Sequence, residues 1–146
     1  MTTVLLLHGP NLNLLGQREP EVYGPDTLDD YVEYATKAAA EHGLTVAALQ
    51  SNSEGALIDA IHSARSDGTV AIIINPGAFT HYAWGIHDAL KAFDGPIVEV
   101  HISNPNAREP WRHTSVVAPA ATGSIMGLGK HGYALAVQAV AQALKA

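Results

Sequence analysis

Apolar residues in this chain gather into short runs separated by longer stretches with a helical period. Residues 4–7 and 70–74 are uninterrupted apolar runs, the pattern of parallel strands covered on both faces. Residues 44–49 and 97–103 predict two more strands, and a fifth lies within 115–127. Helical signals fall between them. Thr27-Leu-Asp-Asp30 reads as a capping box that opens an Ala-rich helix to His42, closed by Gly43. Ser53 caps a second helix whose Leu57, Ile58, Ile61 and Ala64 share one face, ending at Asp67-Gly68. A third helix is expected over 80–93, capped by Thr80, and a last one over 130–144. Residues 8–25 and 104–113 read as irregular, polar loops.

Regular alternation of strand and helix argues for an open parallel sheet with helices on both faces. Five strands in 146 residues suit a flavodoxin-like, doubly wound α/β order in three α/β/α layers, as a single domain over 1–146. In such sheets ligands sit beyond the carboxyl ends of the strands.

Composition narrows the function. Charged residues make up only 15% of the chain, which points to subunit contacts, with an Ala-rich monomer as the other reading. The net charge of −6 leaves no basic footprint for nucleic acid. The first residues lack a basic region and hold only four apolar residues in a row, so they read as a strand and not a signal peptide. No run reaches membrane-spanning length. The expected location is the cytoplasm, with no membrane partner. There is no cysteine, hence no disulfide framework or thiolate metal site.

Polar groups collect where ligands are expected. His8 and Asn11, then Arg18 and Tyr23, follow the first strand; Asn75 and His81 follow the third; Glu99, His101 and Ser103 end the fourth, ahead of Arg108 and Arg112. Three of the four arginines lie in these loops. Strand alternation puts Glu99, His101 and Ser103 on one face and Val98, Val100 and Ile102 on the other. A carboxylate two residues from an imidazole can orient it and favour its protonated form, which suits a general acid; a structural histidine is the plainer reading. Arg18, if close to Tyr23, would stabilise a tyrosinate. A phenol working as a base at pH 7 needs about 4 kcal/mol of such help. On residue pattern alone, a tyrosine packed under its loop is the plainer reading. The 75–81 turn can offer helix-start amides to an anion or simply cap a helix. Asp88, seven residues past His81, is either a site residue or part of a polar helix face.

Some patterns mislead. Gly127-Leu-Gly-Lys-His-Gly132 fits a dinucleotide fingerprint, but only 14 residues follow and no further strand. Tight helix–strand packing accounts better for these glycines. The eight histidines form no compact ligand spacing, and no metal is expected. No phosphate-binding loop or serine elbow occurs.

Four segments carry a family resemblance: residues 7–24, 50–55, 74–81 and 99–109. On them the chain resembles the type II 3-dehydroquinate dehydratases. The resemblance implies a flavodoxin-like lyase without cofactor that removes water from 3-dehydroquinate, by anti elimination through an enolate, in the shikimate pathway. It implies Tyr23 as the base, Arg18 as the residue lowering its pKa, His101 as the acid with Glu99 behind it, and Asn11 as holder of a water that stabilises the enolate. Asn75, His81 and Arg112 match contacts to substrate hydroxyls. The amides of Ile102 and Ser103 match a carboxylate site, and Arg108 matches a second lid residue. Asp88 matches a residue supplied by a neighbouring subunit, and the assembly implied is a homododecamer, a tetramer of trimers. A small-molecule sensor or a flavin carrier on the same fold are the competing readings.

Overall fold

The computed structural model describes residues 2–145; Met1 and Ala146, the ends of the expected 1–146 domain, lie outside them. Five strands, β1 (Thr2–His8), β2 (Leu44–Gln50), β3 (Thr69–Asn75), β4 (Ile97–His101) and β5 (Gly123–Met126), form one sheet in the order β2-β1-β3-β4-β5. Every pairing is parallel. Five helices connect them: α1 (Pro20–Tyr23), α2 (Leu28–Ala40), α3 (Glu54–Ala64), α4 (Trp84–Lys91) and α5 (His131–Lys145).

Strand alternation divides the core in two. Val4 and Leu6 of β1, Ala71 and Ile73 of β3, and Val98 and Val100 of β4 pack with α2 and α5. Leu7, Ile72, Ile74 and Ile97 face the other way and pack with α3 and α4. The result is the expected three-layer, flavodoxin-like arrangement. Thr27 closes its capping box with Asp30, and Ser53 accepts from the Ala56 amide, so both predicted caps form.

Three expectations need correction. The helix expected over 80–93 is broken. A 3₁₀ turn at Gly77–His81 is followed by Tyr82 at φ −154°, and α4 begins only at Trp84. Thr80 therefore caps nothing; its hydroxyl is spent elsewhere. The fourth strand stops at His101 and not at Ser103, because the last register pair with β5 is His101–Met126. The 8–25 loop is not wholly irregular, since it carries a 3₁₀ turn at Leu12–Leu14 and the short helix α1. In the 127–132 glycine run, Gly127 and Gly129 have φ of 84° and 58°, the left-handed region that favours glycine. The chain turns there between β5 and α5.

His8 and Tyr133 form a buried polar pair behind the sheet end. The His8 ring is stacked on Tyr133 at 5.6 Å. Burial pushes the His8 pKa down to about 4. An unfolded histidine titrates near 6.5, so as pH falls from about 6.5 to about 4 the unfolded chain takes up a proton that the folded chain refuses. Stability from this group is complete above about 6.5 and falls with acid. Urea unfolding at pH 7 and pH 4.5 is expected to show about 2 kcal/mol more loss in the parent than in His8→Gln. Equal losses in the two proteins would remove His8 as the source.

Candidate active site

The carboxyl ends of β1, β3 and β4 form the floor of a cavity of about 240 Å³. β1 lies between β2 and β3, where the connections run to opposite sides, which is where an open sheet of this order leaves a crevice. The backbone closes tightly here. The Gly9 amide donates to the Asn75 carbonyl at 2.8 Å, and a Cβ at Gly9 would stand 2.1 Å from the Pro76 oxygen. Only glycine lets the end of β1 approach the turn after β3 this closely.

On the β4 side, Glu99 is fully buried and His101 nearly so. Glu99 Oε2 accepts from His101 Nε2–H at 2.5 Å and from the Thr80 hydroxyl at 2.5 Å. Ser115 Oγ donates to the same carboxylate at 3.1 Å. Burial alone would raise the Glu99 pKa. The hydrogen bond and charge of His101, then the Thr80 and Ser115 hydroxyls, outweigh burial and hold the carboxyl below its usual range. Glu99 is thus an anion fixed behind the imidazole, and the bond through Nε2 leaves Nδ1 as the nitrogen available to a ligand. The sequence placed Glu99 and His101 together. It did not place Thr80, read as a cap, or Ser115, which no local pattern marked.

Tyr23 comes to the cavity on α1. Its Oη accepts from Arg108 Nη1 at 2.9 Å, and Arg108 also donates to Ser103 Oγ at 3.2 Å. The guanidinium carbons of Arg18 and Arg108 lie 5.3 and 5.4 Å from the Tyr23 ring centroid. Two cations face one phenol. The expected neighbour was Arg18. The direct hydrogen bond belongs to Arg108, 85 residues distant in sequence, while Arg18 is shared with Glu19 at 3.1 Å.

Asn11, Asn75, His81, Ile102, Ser103 and Arg112 also line the cavity. Asn11 sits at φ 68° and is tied by its amide to Asn52 Oδ1 at 3.0 Å. His81 Nδ1 is held by the Thr114 carbonyl at 2.7 Å. Arg112 bonds Glu109 at 3.1 Å and lies 4.0 Å from the Trp111 ring centroid. Trp111 is a lining residue that the sequence did not single out as part of the site. Its one local signal was its position beside Arg112. Two expected residues do not line this cavity: Glu99, fully buried behind His101, and Asp88, which the resemblance assigns to a neighbouring subunit's site. The break at Tyr82 ends the shared helix face with His81, and Asp88 is exposed on α4 and absent from the cavity lining of its own chain. Among the described residues, no group of three or more His, Asp or Glu is placed to hold a metal ion, and no helix is long and apolar enough to cross a membrane.

A family profile described as class II dehydroquinase matches residues 2–141. The 3-dehydroquinate dehydratase of Corynebacterium glutamicum is 56% identical over 143 residues, covering 97% of each chain. That of Anoxybacillus flavithermus is 53% identical over 142 residues, covering 96% of this chain and 94% of its own. The crystal structure of the type II dehydroquinase from Propionibacterium acnes superposes with a TM-score of 0.91 at 46% identity, covering 96% of each chain. With a profile match along nearly its whole length and relatives more than half identical, the chain belongs to the class II dehydroquinase family.

Proposed function

We propose that this protein is a 3-dehydroquinate dehydratase, a lyase that reversibly converts 3-dehydroquinate to 3-dehydroshikimate in the shikimate pathway. The observation that carries the reading is one cavity shared by a phenol under two arginines and an imidazole backed by a buried carboxylate. A proton next to a ketone is already acidified, so the enzyme must supply a base, an acid and stabilisation of the enolate oxygen.

In this reading Tyr23, as tyrosinate, removes the proton α to the ketone. The electron pair moves onto the ketone oxygen as an enolate, stabilised through a water held at Asn11. As the enolate collapses, the C–O bond to the β-hydroxyl breaks and His101 gives its proton to the departing oxygen, releasing water by anti elimination. Glu99 keeps the imidazole oriented. Arg18 and Arg108 stabilise the tyrosinate charge. Asn75, His81 and Arg112 bind substrate hydroxyls, and the amides of Ile102 and Ser103 bind its carboxylate. Residues 1–146 act as one catalytic domain, and the enzyme works in the cytoplasm.

The direct test is to add 3-dehydroquinate and follow the ultraviolet absorbance of the conjugated enone product. Growth of that absorbance is expected. Binding without any growth would instead support a sensor, and a yellow purified protein a flavin carrier.

Arg108→Ala is expected to lower kcat/KM by about 10- to 100-fold, since a hydrogen bond to a charged group is worth about 1.5–3 kcal/mol. It should also move the onset of activity to higher pH further than Arg18→Ala does, because Glu19 already neutralises part of the Arg18 charge. Unchanged pH profiles in both variants would remove the tuning role.

The reading also includes a homododecamer, built as a tetramer of trimers. Tyr82 and Trp84 are 59% and 60% exposed, more apolar surface than α4 needs to leave in water. Asp88 is carried on the same helix, outside its own cavity, and in this assembly it reaches a neighbour's site. Light scattering is expected to give a mass twelve times the 15.3 kDa of one chain. A monomer mass with full activity would refute both the assembly and the Asp88 role.

A further inference from the structure

Two fully buried titratable groups, His8 and Tyr133, take no part in the chemistry above, yet both meet a residue of the cavity. The parallel register pairs His8 with Asn75 across β1 and β3. Tyr133 reaches the same point from α5. Its hydroxyl lies 2.9 Å from His8 Nε2 and 3.1 Å from Asn75 Nδ2. At its other end, Asn75 Oδ1 accepts from the Gly77 amide at 3.2 Å.

The proton count in this chain has one solution. Gly77 N–H can only donate, so it fixes Oδ1 on its own side and turns Nδ2 toward Tyr133. The amide then donates to the Tyr133 oxygen. The tyrosine proton has one acceptor left within reach, His8 Nε2, so His8 carries its own proton on Nδ1. That nitrogen is buried without a partner among the described residues, an unpaired donor that core packing alone would not select. Burial keeps both rings uncharged: His8 is held well below neutral pH, and the Tyr133 phenol is pushed up.

We propose that His8 and Tyr133 are positioning residues that lock the Asn75 amide in one orientation, presenting one N–H and one oxygen lone pair to the substrate. Without His8 as acceptor, the Tyr133 hydroxyl must donate to Asn75. The amide then either flips, setting its NH₂ against the Gly77 N–H, or leaves a buried proton unpaired. Asn75 would no longer offer a single donor–acceptor pattern. The inference rests on the reading of Asn75 as a contact to a substrate hydroxyl.

Steady-state turnover of 3-dehydroquinate by Tyr133→Phe, Asn75→Ala and the double variant tests it. Tyr133→Phe is expected to lower kcat/KM about tenfold, about 1.4 kcal/mol, with most of the change in KM. In the Asn75→Ala background the same substitution should matter less than about twofold, as coupled residues behave. Equal tenfold losses in both backgrounds would mean a structural role only and overturn the relay. Full activity in Asn75→Ala would overturn the Asn75 contact itself, and the relay with it. A second pair covers poor folding of Tyr133→Phe. His8→Gln keeps an acceptor and is expected to stay within about twofold of the parent, while His8→Leu falls with Tyr133→Phe. If His8→Leu and His8→Gln behave alike, the relay is wrong.

Discussion

Tyr23→Phe is expected to reduce kcat by about 10³-fold or more, while affinity for 3-dehydroquinate changes by less than about tenfold, roughly 1.4 kcal/mol. The substitution removes one oxygen. The ring and its packing stay, as do the two guanidinium groups 5.3 and 5.4 Å from its centroid. What disappears is the atom that takes the proton. Among the described residues lining the cavity, no other carries an ionisable oxygen. The Arg108 Nη1–H loses its acceptor at 2.9 Å but keeps Ser103 at 3.2 Å, so the lid cation is not left stranded. Calorimetry on the variant gives affinity and the enone absorbance gives turnover. Turnover near the parent level would take the base role away from Tyr23.

His101→Ala carries two effects of similar size. Loss of a general acid is expected to lower kcat by about 10²- to 10⁴-fold. The variant also leaves Glu99 buried without its imidazole. Removing one member of a buried ion pair costs about 3–5 kcal/mol, moderated here by the hydroxyls of Thr80 and Ser115 that still donate to the carboxylate. The Glu99 contribution to the pH dependence changes sign. In the parent, the Glu99 pKa is held below its unfolded value. Its contribution is complete above the ordinary carboxyl range and is lost as pH falls through the lower folded value. In His101→Ala burial dominates and the carboxyl pKa rises, so toward mild acid the variant gains stability relative to the parent, with which it shares the His8 loss. Urea unfolding at pH 5 and pH 7 reads this directly. A variant that loses as much stability toward acid as the parent does would show that His101 is not what keeps Glu99 charged.

The sheet was legible because its signals are local. The runs at 4–7 and 70–74 are apolar at every position, which only strands with both faces covered require. The Thr27 and Ser53 caps are closed by groups three residues away. The third helix was misread for the opposite reason. Thr80 has the composition of a cap, but a carboxylate 19 residues on and a serine 35 residues on claim its hydroxyl. With that hydroxyl spent, the chain turns once as a 3₁₀ helix and restarts at Trp84. The same break parts Asp88 from the helix face it was expected to share with His81.

The two partners of the proposed acid–base pair differ in origin. The sequence by itself determined the pairing behind the proposed acid: residues i and i+2 on a strand share a face, so Glu99 and His101 had to meet. It also determined the sheet and the edge where polar groups converge, because topology sends the loops after β1, β3 and β4 to one side. Only the tertiary structure decided the surroundings of Tyr23 and Asn75. Arg108 reaches the phenol across 85 residues, and Tyr133 reaches the amide across 58. No periodicity encodes such contacts. They arise when a loop folds over the strand ends and α5 packs beneath them, and each is a side-chain hydrogen bond that only the folded chain brings within reach.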